Sequence, residues 1–270
     1  MKPLASGVVV IEVNSSNPIL KFSNFSLRCD RLDPQIVFPT PWNWEIGEHK
    51  RISVITKNSY LRSQLIASLA DLVIPVSGEI ISDAVMSWPI GTEGGLDKKL
   101  RVCHAVNFLA DVYGDCLDQS SVSLNDFWRL LYENEIHPHQ IIKELSRSKK
   151  DFFNLALSVL FSFDFYLLPR TSYLMSKAAG PLRTLLLEQV KGKSLLSTST
   201  NSRFQKEFCT HGLVLGSLGQ ILFAGDLSEA TQWADQNLGK NDASEIEEDQ
   251  FDVGFNLVNS EGGPDDQFDM

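Results

Sequence analysis

The stretch Arg51-Ile52-Ser53-Val54-Ile55-Thr56-Lys57-Asn58-Ser59-Tyr60-Leu61-Arg62-Ser63-Gln64 decides the fold. Its first five residues alternate and then run apolar, as a buried strand does. Residues 56–62 read as a loop, and residues 63–72 place Leu65, Ile66 and Leu69 at helical spacing. A strand entering a helix through a short polar loop is the unit of α/β architecture. Upstream, residues 7–13 and 19–27 read as strands around the polar turn 14–17, and Pro34, Pro39 and Pro41 break the next stretch into loop. Downstream, residues 79–81 and 85–88 are short strands, 102–113 an amphipathic helix and 123–132 a second helix with Asp126 near its start. A long apolar helix over 148–161 runs through residues 162–164 into a strand at 165–168. Then come a helix at 183–191, a strand at 194–199, the start of a helix at 204–209, and a hairpin of 213–215 and 220–223 around Gly219. The expected class is α/β with a helical insert at about 98–160 and an antiparallel β part.

Composition excludes several function classes. Hydrophobic residues make up 43% of the chain, enough for a core. The longest apolar run, 155–168, is interrupted by Asp164. It falls short of the roughly 20 residues of a membrane-spanning helix. The run from Val8 to Ile11 stops at Glu12 and is too short for a signal peptide core. The expectation is a cytoplasmic protein, peripheral at most to the inner membrane. Of the net charge of −10, residues 240–270 supply ten acids and one base, Lys240, which leaves 23 bases and 24 acids over residues 1–239. The body is thus near neutral, without the basic stripe of a nucleic-acid binder. The acidic end reads as a flexible tail that buries too little apolar surface to fold. The domain expectation is residues 1–239, with 240–270 as that tail. Cys29, Cys103, Cys116 and Cys209 lie far apart without C-x-x-C spacing, as reduced thiols do.

Chemistry-bearing patterns are sparse. His137-Pro138-His139 is the one close histidine pair; Glu133 or Glu135 could add a third ligand, but histidines of a loop or helix cap are the simpler reading. No G-x-S-x-G elbow occurs. Gly91, Gly94 and Gly95 have G-x-x-G-G spacing, which is not the dinucleotide fingerprint.

Three stretches carry a family resemblance. Ser77-Gly78-Glu79-Ile80-Ile81, leading into Ser87-Trp88-Pro89-Ile90-Gly91-Thr92-Glu93-Gly94-Gly95-Leu96, is similar to the S-G-x-I and S-W-P-[VI]-G-x-x-G-G-[FL] segment of the ATPase subunits of bacterial capsule-polysaccharide exporters. Val106-Asn107-Phe108-Leu109-Ala110-Asp111-Val112-Tyr113 resembles the helix after that family's Q-loop. Leu157-Ser158-Val159-Leu160-Phe161-Ser162-Phe163-Asp164-Phe165-Tyr166-Leu167-Leu168 resembles its signature helix and Walker B strand. Lys206-Glu207-Phe208-Cys209 is a partial match to the helix after the H-loop, and the resemblance spans about residues 19–232.

The resemblance implies a P-loop NTPase core of ABC ATPase type, with ATP and magnesium as the family's ligands. It also marks where the chain departs. The phosphate loop G-x-x-G-x-G-K-[ST] falls on Thr56, Lys57, Asn58, Ser59, Tyr60, Leu61, Arg62 and Ser63. Glycines let backbone N–H groups converge on a phosphate with no Cβ in the way, and here those positions hold Thr56, Ser59 and Leu61. Arg62 replaces the lysine, keeping charge but not shape. The Walker B carboxylates fall on Pro169 and Arg170, and the H-loop histidine on Thr200. The signature reads Ser146-Arg147-Ser148-Lys149, the D-loop aspartate Ser176, and the Q-loop position falls near Asp97. Phosphoryl transfer is mostly positioning and charge neutralisation, so this set of losses implies no hydrolysis.

The expected function is a non-catalytic subunit or regulator of surface polysaccharide export. Its partners would be an integral membrane permease, a second ABC ATPase subunit, or both, with no nucleic acid. In the family the region after the glycine-rich segment faces the permease, which puts the expected contact on Thr92, Leu96, Leu100 and Val106. Two alternatives stand beside it: a soluble scaffold recruiting glycan-assembly enzymes, and a weak ATP-binding hydrolase. Trp42 and Trp44 flank the place where such domains set an aromatic under adenine, though core or strand-edge packing is the simpler reading.

Overall fold

A computed structural model describes residues 18–92 and 96–238 of the chain. The strand expected at 7–13, the acidic segment 240–270, and Glu93, Gly94 and Gly95 lie outside the described residues.

Two sheets form the framework. In the smaller, β1 (Pro18–Ser26) lies between β2 (Trp42–Gly47) and β4 (Ser77–Ile81), antiparallel to both. The larger has the order β5-β6-β7-β3-β8-β9, built from β3 (Arg51–Ile55), β5 (Met86–Pro89), β6 (Phe165–Leu168), β7 (Ser194–Ser197), β8 (His211–Leu215) and β9 (Ile221–Asp226). Its first five strands are parallel, and β9 closes it antiparallel to β8. β6 and β7 are buried at every residue, as parallel strands covered on both faces are.

Eight α-helices and one 3-10 turn (Ile142–Glu144) complete the described chain: α1 (Ser59–Leu69), α2 (Val102–Val112), α3 (Gly114–Asp118), α4 (Leu124–Glu133), α5 (Arg147–Leu160), α6 (Gly180–Gln189), α7 (Ser202–Phe208) and α8 (Leu227–Asn237). α2 to α5 form a helical layer whose core includes Val106, Phe127, Leu131, Phe153 and Leu157, continuous with Phe161 and Tyr166 beneath the large sheet. A second core joins the inner face of the small sheet, Leu20, Phe22, Trp44 and Ile46, to α1 through Leu61, Leu65 and Ile66. A small third one seats Ala230 and Ala234 of α8 on Val214 and Ile55. Trp42 and Trp44 belong to the second core: they pack with Phe22, Phe25 and Phe38, and Trp42 Nε1 donates to the Gly219 carbonyl at 2.8 Å. They are core aromatics.

The structure departs from the sequence expectations in several places, α3 among them. α1 begins at Ser59, four residues before the expected 63, because the Asn58 side chain caps it. β2 was not expected, although Trp42, Trp44 and Ile46 alternate as a half-buried strand does. α8 was not expected either: its buried residues are alanines, which give a weak apolar stripe.

Candidate functional site

In an open α/β sheet ligands bind beyond the carboxyl ends of the parallel strands. Here that edge gathers the loops after β3 (residues 56–58), β5 (90–92), β6 (169–171) and β7 (198–201), together with the β8–β9 turn. The sequence-expected nucleotide positions therefore sit on neighbouring loops.

The loop after β3 closes on itself. Asparagine is a favoured N-cap because its side-chain oxygen satisfies a free helical N–H. Asn58 Oδ1 accepts from the Leu61 N–H at 2.9 Å. The same side chain donates through Nδ2 to the Cys29 and Ser217 carbonyls, both at 2.7 Å. Thr56 Oγ1 accepts from the Asn58 N–H at 3.3 Å. Arg62 is only 8% exposed, and its Nη1 donates back to the Thr56 carbonyl at 2.9 Å. Ser63 Oγ donates to the Ser59 carbonyl at 3.3 Å. Leu61 is fully buried, Ser59 and Tyr60 are half-buried, and Lys57 is exposed.

The ends of β6 and β7 carry hydroxyls. Pro169 is buried and Arg170 half-buried. Gly91, at φ +85°, packs so tightly that a Cβ on it would lie 2.7 Å from the Arg170 carbonyl oxygen. Ser197 Oγ donates to the Leu168 carbonyl at 2.7 Å, the buried Thr171 and Ser199 hydroxyls bond to each other, and Gln205 Nε2 donates to the Ser199 carbonyl at 2.9 Å. Thr200 is half-buried beside them. No aspartate or glutamate occurs in residues 56–63, 169–172 or 197–202.

The other family positions also make local contacts. Ser146 caps α5 by accepting from the Lys149 N–H at 3.4 Å, and Lys149 pairs with Glu135 at 2.9 Å. Ser176 Oγ accepts from the Ala179 N–H at 3.3 Å, and Asp97 accepts from the Lys99 N–H at 2.8 Å. Among the described residues no group of three or more His, Cys, Asp or Glu is placed to hold a metal ion. Burial pushes the Cys29 thiol up to about 11 and Cys209 up to about 12, so neither is a ready nucleophile.

Two of the four residues expected to face a permease are buried. Thr92 is buried, its hydroxyl donating to the Pro89 carbonyl at 2.6 Å, and Val106 is 1% exposed in the helical core. Leu96 and Leu100 are half-buried and pack on that core. The apolar residues that α2 leaves in solvent are Phe108 and Val112, each 55% exposed and four apart on one helix face, one turn beyond the exposed His104. Sequence spacing could have found them: Val102, Ala105, Val106 and Leu109 form the buried stripe, and these two lie off it.

The chain has the fold of an ABC-transporter ATP-binding domain. It aligns with the ATP-binding subunit of an ABC transporter at TM-score 0.57 and 16% identity, over 87% of this chain and 98% of that one. A nucleotide-free ATP-binding cassette aligns at 0.54 and 12%, over 82% and 96%. In sequence the chain is a relative of the ATP-binding subunits of capsule polysaccharide export. The polysialic acid transport ATP-binding protein KpsT of Escherichia coli is 27% identical over 198 residues, 72% of this chain and 85% of that protein. The capsule polysaccharide export ATP-binding protein CtrD of Neisseria meningitidis serogroup B is 24% identical over 195 residues, 71% and 87% of the two chains. The ATP-binding protein BexA of Haemophilus influenzae is 24% identical over 195 residues, 71% and 86%. No protein-family model matches the chain. Among the described residues no helix is long and apolar enough to cross a membrane.

Proposed function

We propose that this chain is a non-hydrolysing member of the ATP-binding-subunit type, acting in surface or capsule polysaccharide export at the cytoplasmic face of a membrane permease. The observation that carries this is the self-closed loop after β3. Leu61 N–H, which a phosphate would take, is held by Asn58, and the Arg62 guanidinium is turned onto the Thr56 carbonyl. Side chains at Thr56, Ser59 and Leu61 stand where a phosphate cradle needs bare backbone. Magnesium binds through hard oxygen ligands, usually with a carboxylate among them. Pro169 and Arg170 supply none, and Thr200 cannot do the work of a histidine. The residues present do not fit magnesium–ATP, so no catalytic step is assigned to them.

What remains is binding. A nucleotide-binding domain pairs head to tail, each site joining one subunit's phosphate loop to the other's signature segment. Two copies of this chain would make two inert sites, and a pair with an active ATPase would keep activity only where that partner accepts residues 146–149 opposite its nucleotide. Docking on a permease needs shape and apolar contact rather than hydrolysis, and Phe108 and Val112 offer that contact. The test combines two measurements on purified protein: magnesium-dependent ATP turnover, and recovery of membrane proteins from detergent extract with and without ATP. The expected result is no turnover above background and ATP-independent capture of an integral membrane protein, lost in the Phe108→Asp, Val112→Asp double variant. Turnover abolished by Arg62→Ala would overturn the inactive reading. Absence of a membrane partner, or equal recovery by the variant, would overturn the transport reading in favour of a soluble scaffold.

A further inference from the structure

Positive charge is concentrated in one place. Residues 97–104 and 137–150 together hold seven Lys and Arg against two acids, Asp97 and Glu144, while the remainder of residues 1–239 holds sixteen against twenty-two. The two stretches lie side by side. The Val102 and Cys103 N–H groups donate to the Gln140 and Pro138 carbonyls at 3.0 and 2.9 Å. The Ile142 N–H donates to the Leu100 carbonyl at 3.0 Å, and the Lys143 N–H to the Lys98 carbonyl at 2.8 Å. Arg101 and Ile141 form an antiparallel bridge. These pairings gather Lys98, Lys99, Arg101 and Lys143 into one exposed strip, with exposed Arg147 four residues beyond Lys143. Lys149 does not join it, being paired with Glu135 at 2.9 Å. Like charges gathered this way repel one another and give the fold nothing, whereas they suit an anionic partner.

An exposed aromatic borders the strip. α2 starts at the strip, and Phe108, 55% exposed, follows Arg101 after two helical turns on the same face, about 10 Å along the axis. Exposed His104 lies between them. Past Phe108 the charge reverses, with Asp111, Asp115 and Asp118 all exposed. The positive surface and the ring therefore share one end of the helical layer. Cations beside an exposed ring suit an anionic bilayer: the cations meet headgroups and the ring enters the boundary with the acyl chains. A charged polysaccharide would use the cations alone and leave the ring in water.

We propose that Lys98, Lys99, Arg101, Lys143 and Arg147 bind anionic phospholipid headgroups, with Phe108 entering the headgroup–acyl boundary. The contact goes beyond a permease docked on Phe108 and Val112, because lipid surrounds any such partner, and it does not depend on one. Several surface cations acting together make a reversible, salt-sensitive membrane contact.

Flotation of the full-length protein with lipid vesicles tests this. The protein should float with vesicles of equal phosphatidylcholine and phosphatidylglycerol and stay behind with phosphatidylcholine alone. Raising salt from about 0.1 M to about 1 M, which shortens the screening length from about 10 to about 3 Å, should release it. The Lys99→Gln, Arg101→Gln, Lys143→Gln variant should bind the anionic vesicles roughly tenfold or more weakly. Where that variant has a lowered unfolding midpoint, Arg101→Gln alone serves, with a loss of about fivefold. Phe108→Ser should weaken vesicle binding about fivefold. Lys177→Gln, Arg203→Gln, Lys206→Gln removes the same charge elsewhere and should bind as wild type does. Absence of flotation, equal binding to neutral vesicles, or equal losses in the two triple variants would overturn the proposal. Unchanged vesicle binding by Phe108→Ser, with strip-dependent retention of dextran sulfate, would also overturn it and give the strip to a polysaccharide. The vesicles hold no permease, so failure here leaves the permease reading standing, and failed capture of a membrane protein from detergent leaves this one standing.

Discussion

Asn58→Ala probes the loop after β3 most directly. Asn58 links three parts of the molecule: its oxygen caps α1 at Leu61, and its amide holds the Cys29 and Ser217 carbonyls. Removing a cap of this kind costs about 1 kcal/mol. Each lost amide hydrogen bond adds about 0.5–1 kcal/mol, less for the exposed bond to Ser217 than for the half-buried one to Cys29. The expected loss is about 2–3 kcal/mol, or roughly 5–10 °C in unfolding midpoint for a domain of this size. Urea unfolding and calorimetry measure it. Asn58→Asp keeps the capping oxygen and should recover about 1 kcal/mol of the loss. A second arm ties stability to function, because a ligand that binds the folded state alone raises its midpoint. Magnesium–ATP should leave the wild-type midpoint unchanged, since the loop's donors are already engaged. An Asn58→Ala loss under about 0.5 kcal/mol would refute the view that this side chain closes the loop. A clear rise of the wild-type midpoint with ATP would refute the view that the closed loop excludes phosphate.

Two further predictions rest on single contacts. Gly91→Ala places a Cβ 2.7 Å from the Arg170 carbonyl at a backbone φ of +85° and should cost about 1–3 kcal/mol in urea unfolding; because the clash is with backbone, an added Arg170→Ala should not relieve it. Burial raises the pKa of Asp164, but hydrogen bonds from Lys193 at 3.0 Å and from the Val85 N–H, together with the Lys193 charge, outweigh it and hold the carboxyl below its usual 3.8. A depressed carboxyl stabilises above its unfolded pKa and loses that contribution as pH falls through the folded value. Asp164→Asn should therefore be less stable at pH 7, by under about 1 kcal/mol because the pair is partly solvated, and equal to wild type near pH 2–3 in urea midpoints.

The sequence determined the elements whose signal is local. β3 at 51–55 and β6 at 165–168 match the apolar runs that announced them, because a strand covered on both faces is apolar throughout. The α/β class followed from the order of such elements. The sequence also determined which residue types stand at the family's nucleotide positions, since identity needs no coordinates. What it could not supply was burial. Thr92 and Val106 look like surface residues beside a glycine-rich turn, yet α2 turns Val106 inward and leaves Phe108 and Val112 outside. Asn58 and Arg62 looked like loop residues, yet their partners are the Cys29 and Ser217 carbonyls and, for the arginine, a strand-end carbonyl. α8 was invisible because alanine against a sheet leaves almost no periodic contrast. Strand neighbours, buried faces and the partners of a side chain are relations between distant parts of the chain, and those are set only when the chain closes on itself.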